Sequence, residues 1–134
     1  MRFSISTKGF NDVIDITNRV SEIVEESGKK EGLCVISCPG STCAITTIEY
    51  ESGAIEDLKR ILEKLVPMSE EYQHCKKWGD CNGYAHIRSA LIKPFLTVPI
   101  ENGKLLLGTW QQIVFLDFDN RPRQREIFVK IIGK

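Results

Sequence analysis

The carboxyl-terminal third of the chain leaves little choice of fold. "FLTVPIENGKLLLGTWQQIVFLDFDNRPRQREIFVKII" holds apolar, β-branched and aromatic runs separated by two turn signals. Asn102-Gly103 is the dipeptide favoured in a two-residue hairpin turn, where both central residues take positive φ. "DNRPRQR" separates the second run from the third. The predicted order is a strand over 95–100, a hairpin, one long strand over 104–118, a turn, and a last strand over 125–132. Strands joined this tightly pair antiparallel.

The other half alternates strand and helix patterns. "RFSIST" alternates polar and apolar side chains, as a half-buried strand does. In "NDVIDITNRVSEIVEESG", Val13, Ile16, Val20, Ile23 and Val24 recur three or four apart. That stripe predicts a helix, capped by Asn11 or Asp12 and ended by Gly28. "LCVISC" and "STCAITTIEY" are strand-like, with Pro39-Gly40 as the turn between them. "AIEDLKRILEKLV" predicts a second helix with Ile55, Leu58, Ile61, Leu62 and Leu65 on one face, stopped by Pro67. Met68 to about Asn82 has no clean period and is expected to be loop; "YAHIRSALI" suits a short helix ending before Pro94. The sum is an α+β fold with at least six strands and two or three helices.

At 134 residues the chain has the size of one domain with one core, spanning 1–134. Its formal net charge of zero argues against nucleic-acid binding through a basic excess. No apolar run approaches ~18 residues, so no membrane span is expected. The opening "MRFSISTKGF" lacks the apolar core of a signal peptide, so the expected compartment is cytoplasmic. Five cysteines then read as reduced thiols rather than a disulfide framework. No phosphate-binding glycine loop, dinucleotide fingerprint, His-Glu-x-x-His or Gly-x-Ser-x-Gly is present, which argues against the enzyme classes they mark.

The chemistry-bearing side chains gather in "QHCKKWGDCNGYAHIRSA", which holds both histidines. His74, Cys75, Cys81 and His86 supply enough nitrogen and sulfur for tetrahedral zinc. Five residues separate the two cysteines, however, which is not a common zinc spacing. His74, Asp80, Asn82 and His86 would converge if the loop folds back onto the helix start, giving a divalent-ion site or an acid–base pair. The bland alternative is a half-buried His86 and a solvated His74. Cys34, Cys38 and Cys43 lie in or beside apolar strands and are expected in the core, since nothing local would activate them. Arg123 and Arg125, two apart, would share a side of a strand and suit either a phosphate clamp or a subunit ion pair. "GTWQ" puts the polar pair Thr109 and Gln111 inside an apolar strand, as a ligand site, a subunit contact or a wet edge would.

These residues together resemble the YjbQ family. The resemblance rests on Asn82, Ala85-His86-Ile87, Ser89, the turn from Pro99 to Gly103, Gly108-Thr109-Trp110-Gln111, and Pro122-Arg123 with Arg125. Weaker matches cover Thr42 to Glu49 and the "GF…DIT" segment. The resemblance implies a small β-sandwich of largely antiparallel strands with flanking helices, assembled as a homotrimer. It also implies a site near subunit contacts and a weak thiamine-phosphate synthase activity, in which a pyrimidine methyl diphosphate is joined to a thiazole phosphate with release of pyrophosphate. The catalytic residues expected on that basis are His86, Asn82 and Arg123. Ser89, Thr109, Gln111 and Arg125 would bind a small phosphorylated ligand. His74, Asp80 and His86 would hold a divalent metal, Mg or Zn. Gly40 stands where family members commonly carry a histidine, and the turn Asp119-Asn120-Arg121-Pro122-Arg123 also departs from the family pattern. Those departures leave open the alternative of a trimeric ligand- or metal-binding protein without turnover.

Overall fold

The computed structural model describes residues 1–134. Its strands are β1 (Arg2–Thr7), β2 (Asp12–Asp15), β3 (Gly32–Ser37), β4 (Cys43–Ile48), β5 (Phe95–Glu101), β6 (Lys104–Leu105), β7 (Gln112–Asp117) and β8 (Arg123–Gly133). Its helices are α1 (Thr17–Ser27), α2 (Ser52–Leu65), α3 (Gln73–Trp78) and α4 (Gly83–Ile92). The strands form two sheets in the orders β1-β8-β3-β5-β6 and β2-β7-β4, with every pairing antiparallel.

The small sheet lies in the middle. On one face Ile45, Ile113 and Phe115 pack with Phe3, Ile36 and Ile127 of the large sheet, and with Val20 and Val24 of α1. On its other face Val13, Val114 and Leu116 meet Leu62 of α2 and Tyr84 and Ala85 of α4. Alternation along β7 therefore sends every side chain into a core, one set to each side. This explains why "IVFLD" is buried from end to end. The large sheet is covered on one face only. Leu33, Phe95, Phe128 and Ile132 lie on its other face, and Phe95 and Ile132 are 53% and 64% exposed.

Three sequence expectations are corrected. The helix predicted from Asn11 begins only at Thr17, because Asp12–Asp15 pairs with β7 instead. The N-cap is Ile16, without a side-chain cap bond, while the Asp15 carboxylate accepts from the Thr17 N–H at 3.0 Å. β-branched Val13 and Ile14 favour a strand, and the positive φ at Phe10 and Asn11 makes the turn into it. Second, the segment expected as loop contains α3, a short helix ended by Gly79 at φ 73°. Third, the long strand predicted over 104–118 is broken. "GTWQ" is a turn between β6 and β7, closed by the Gln111 N–H to the Gly108 carbonyl at 3.1 Å. Four helices replace the two or three expected. Gly28 ends α1 in the left-handed conformation, as expected. The predicted apolar face of α2 is only partly covered: Leu62 is buried, but Ile61 and Leu65 are exposed.

Candidate functional site

Beyond Phe115 the inward alternation of β7 reaches Asp117 and then Asp119, between the ends of the two sheets. Arg123 and Arg125 lie on the inward side of β8 and face them. Arg125 is 5% exposed and grips Asp117 with two nitrogens, Nε to Oδ2 at 2.8 Å and Nη2 to Oδ1 at 2.9 Å. Nη2 also donates to Thr42 Oγ1 at 2.9 Å, and Thr7 Oγ1 donates to Asp117 Oδ2 at 2.6 Å. A buried pair of this kind holds only when its remaining lone pairs are satisfied, and here they are.

Asp119 joins the strands to the helices. Arg123 Nη1 and Thr42 Oγ1 donate to its Oδ2, while Asn82 Nδ2 (3.2 Å) and the Asn120 N–H (2.8 Å) donate to its Oδ1. Burial alone would push the Asp119 carboxyl up. The bonds from Asn82, the Asn120 N–H and Arg123, with the charge of Arg123, hold it below the usual carboxylate range. Asn82 and His86 are four apart at the start of α4 and so share a face of it. His74 of α3 lies against His86, ring centroids 4.3 Å apart and tilted by 39°. Burial, then the neighbouring His74, lowers the His86 pKa below its ordinary value. Asp80 Oδ1 is 3.3 Å from His74 Nδ1 but out of line for a hydrogen bond.

Two buried atoms here have no hydrogen-bond partner, His74 Nδ1 and Asn82 Oδ1. Asn82 Oδ1 is an acceptor, and His74 Nδ1 is one in the tautomer protonated at Nε2. A buried lone pair left unmatched is costly, so each marks a place for a donor or a cation. His74, Asp80, Asn82 and His86 are thus brought to one end of the molecule, beside Asp119 and Arg123. No group of three or more histidine, cysteine or acidic side chains is gathered tightly enough to hold a metal ion as the side chains stand.

The other expected binding residues fare differently. Ser89 is buried, its hydroxyl spent on the Cys43 carbonyl at 2.6 Å. Arg125 is committed to Asp117 and Thr42 through Nε and Nη2. Thr109 and Gln111 lie before β7, at the opposite end from Asp117; six residues at ~3.3 Å each put roughly 20 Å between the two places. There Gln111 Nε2 donates to Thr47 Oγ1 at 3.2 Å, and Thr109 and Trp110 line a separate depression with Asp15 and Tyr50. Cys34, Cys38 and Cys43 are core residues as expected. A cation does reach Cys38, however. Donation from the Cys43 thiol, then the charges of Arg125 and Arg123, lower the Cys38 pKa. A depression of about 290 Å³ opens beside it, lined by Cys38, Pro39, Arg123 and Arg125 among others. A Cβ at Gly40 would meet Arg125 Nη1 and Cys43 Sγ, each at 3.1 Å.

Sequence reasoning missed the carboxylates that organise the site. Asp117 and Asp119 are two apart on one arm of the last turn, Arg123 and Arg125 two apart on the other. Two acids facing two bases across a turn was the available signal. It also missed Arg88, which is fully buried and bound to the Val66 carbonyl, Glu63 and Asn11. That arginine ties α4 to the rest of the fold, away from His86.

The family described as UPF0047 protein YjbQ-like matches residues 1–134. A UPF0047 protein of Archaeoglobus fulgidus is 39% identical over 132 residues, covering 98% of this chain and all of that one. The UPF0047 protein YugU of Bacillus subtilis is 34% identical over 130 residues, 96% of each chain. Among solved structures, a protein of unknown function from Sulfolobus solfataricus superposes with TM-score 0.90 at 32% identity, covering 100% of this chain and 97% of that one. An uncharacterised member of the YjbQ/UPF0047 family from Clostridium acetobutylicum does so with TM-score 0.89 at 39% identity, covering 98% and 99%.

Proposed function

The chain belongs to the UPF0047 family of YjbQ-like proteins, and from that premise we propose that it binds a small phosphorylated ligand together with a divalent cation, Mg or Zn, at the Asp119 end. The observation that carries this reading is the pair of buried, unpartnered atoms His74 Nδ1 and Asn82 Oδ1. Asn82 Oδ1 offers a lone pair, and His74 Nδ1, 3.3 Å from the Asp80 carboxylate, offers one in the tautomer protonated at Nε2, which is donor chemistry suited to a divalent ion. His74, Asp80 and His86 would hold it, after a small rotation of the two rings, and it would supply charge neutralisation at a phosphate oxygen. Arg123 keeps a third of its side chain exposed while bound to Asp119, so its free nitrogens can meet a second oxygen.

In its catalytic form the site would run the weak thiamine-phosphate synthase reaction that the family resemblance suggests. Arg123 would stabilise the pyrophosphate as it leaves. His86, kept neutral near pH 7 by its lowered pKa, would take up a proton. Asn82 would orient the ligand through Oδ1. Thr109 and Gln111 belong to this site only if another copy brings them, since one chain holds them at the far end of β7. That separation, with the exposed apolar face of the large sheet, supports a homotrimer with sites near subunit contacts. Sedimentation or light scattering tests the assembly: three chain masses are expected, and a monomer removes Thr109 and Gln111 from the site.

Incubating the pyrimidine diphosphate and the thiazole phosphate with protein and Mg²⁺ tests the chemistry. Product formation that survives undiminished in a folded His86→Ala/Arg123→Ala double variant would sink it. Gly40 favours the second reading, binding without turnover, because it stands where family members commonly carry a histidine and Arg125 Nη1 and Cys43 Sγ crowd the space a side chain would need. Calorimetric titration with pyrophosphate and Mg²⁺ would then give saturable heat with no product. The Gly40→His variant, with Cys43→Ala to make room, would gain product formation.

A further inference from the structure

The mechanism above uses none of the five cysteines, and three of them are buried at 0–2% exposure, Cys38 at the edge of the depression beside Arg123. The remaining two, Cys75 and Cys81, are accessible, and Cys81 is fully on the surface. Helix geometry brings them together. Gly79 ends α3 in the left-handed conformation, its N–H bonded to the Cys75 carbonyl at 2.7 Å. In such a cap the chain turns back over the residue four before the glycine. Asp80 therefore returns to His74, 3.3 Å away, and one residue later Cys81 returns to Cys75. The Cys81 thiol donates to the Gly79 carbonyl oxygen at 3.9 Å and has the Cys75 sulfur as its neighbour. Cys81 itself sits at φ 58°, a left-handed conformation unusual for a residue with a Cβ. No side chain of α3 is buried, and the segment is secured by this return loop, the His74–His86 contact and donation from Asn120 Nδ2 to the Asp80 carbonyl at 2.7 Å.

We infer that Cys75 and Cys81 are a peroxide-sensitive dithiol that closes to an intramolecular disulfide and fastens the loop carrying His74 and Asp80. The step balances. One thiolate attacks an oxygen of hydrogen peroxide, the O–O bond breaks, and the sulfur becomes a sulfenic acid while the other oxygen leaves as water. The second thiol attacks that sulfur, the S–S bond forms, and a second water leaves. Two electrons pass from the sulfurs to the peroxide. A thiol reductant reverses it by exchange. Accessible pairs of this kind, in a reducing compartment, are the ones that act as transient sensors rather than permanent braces. The inference stands whether or not the ligand reading above is right, because its readout is covalent.

The test uses the full chain, reduced and desalted, then exposed to hydrogen peroxide, alkylated and peptide-mapped by mass spectrometry. The expected product is a Cys75–Cys81 cross-link within one chain, two hydrogens lighter and restored by dithiothreitol. Cys34 and Cys43 alkylate only after unfolding. Amide exchange over residues 73–82 slows in the oxidised protein. In a Cys81→Ser variant, Cys75 goes on to sulfinic acid or mixed disulfide instead. Recovery of Cys75 and Cys81 from the parent protein as separate sulfinic acids, or only in links between chains, overturns the inference. So does an oxidation product at Cys75 that is the same with and without Cys81.

Discussion

Asp117 has both carboxylate oxygens engaged by Arg125 and Thr7, whereas across the same site Asn82 and His74 each keep a buried atom with no partner. The strand wall is closed on itself: Thr42, Arg123 and the Asn120 N–H complete the shell of Asp119. The helix wall is open, and α3 contributes no buried residue to hold it. The difference teaches how labour is divided at such a site. Groups that satisfy one another fix a geometry, and groups left wanting a partner are the ones available to a ligand.

The largest effect that would break this comparison is Asp117→Ala. It strands the buried Arg125 guanidinium, and breaking a buried pair by removing one partner costs about 3–5 kcal/mol. Urea unfolding should show that loss, and a cost near that of a surface substitution would mean the strand wall is not the anchor. Asn82→Ala should cost far less, about 1 kcal/mol for its one bond to Asp119. Calorimetry should nevertheless show at least a tenfold loss of Mg²⁺-dependent pyrophosphate binding. Unaltered binding would remove the helix wall from the site.

A smaller effect concerns pH. The folded state lowers the His86 pKa below its ordinary value of 6.5, so it favours the neutral ring. That contribution is present above about pH 6.5 and is lost as pH falls through the lower folded value. Asp119 acts the same way at more acid pH, below its ordinary 3.8. Melting temperature followed downward from pH 7 should fall first in the His86 range. A His86→Gln variant should flatten only that part. The smallest effect should come from Gln111→Ala: within about 0.5 kcal/mol in stability, as for other exposed positions, with ligand affinity reduced only where chains assemble. Reduced affinity in a monomeric preparation would contradict the separation along β7.

How much of this the sequence disclosed depended on whether a signal was local. The Asn102-Gly103 hairpin, the Gly28 helix stop, the strand over 2–7 and, to within one residue, the strand read over 33–38 followed from neighbouring residues alone. Asp12–Asp15 did not, because Val13 and Ile16 fit a helical stripe and only pairing with β7 decides otherwise. The break at "GTWQ" was hidden by the apolar runs on either side. For the site, His74, Asp80, Asn82 and His86 were legible because they crowd one short stretch. Asp117 read as the end of a strand and Asp119 as a turn residue; only the register that sets β7 against β8 across the core gives them their role. The commitment of Arg125 to Asp117 was equally invisible, since each residue alone looked available.

The middle sheet has a consequence for where this architecture can change. Both of its faces are covered, so a substitution within β7 has no wet side on which to be tolerated. The two polar constellations sit at the ends of the strand, the exposed Thr109 and Gln111 before it and the buried Asp117 and Asp119 at its finish. Variation within the family should therefore collect at strand ends and in the loops that continue them, while strand length stays fixed. Adding or deleting a residue in β7 would invert which faces its side chains occupy and move one constellation relative to the other. Its length acts as the ruler that sets the spacing of the two.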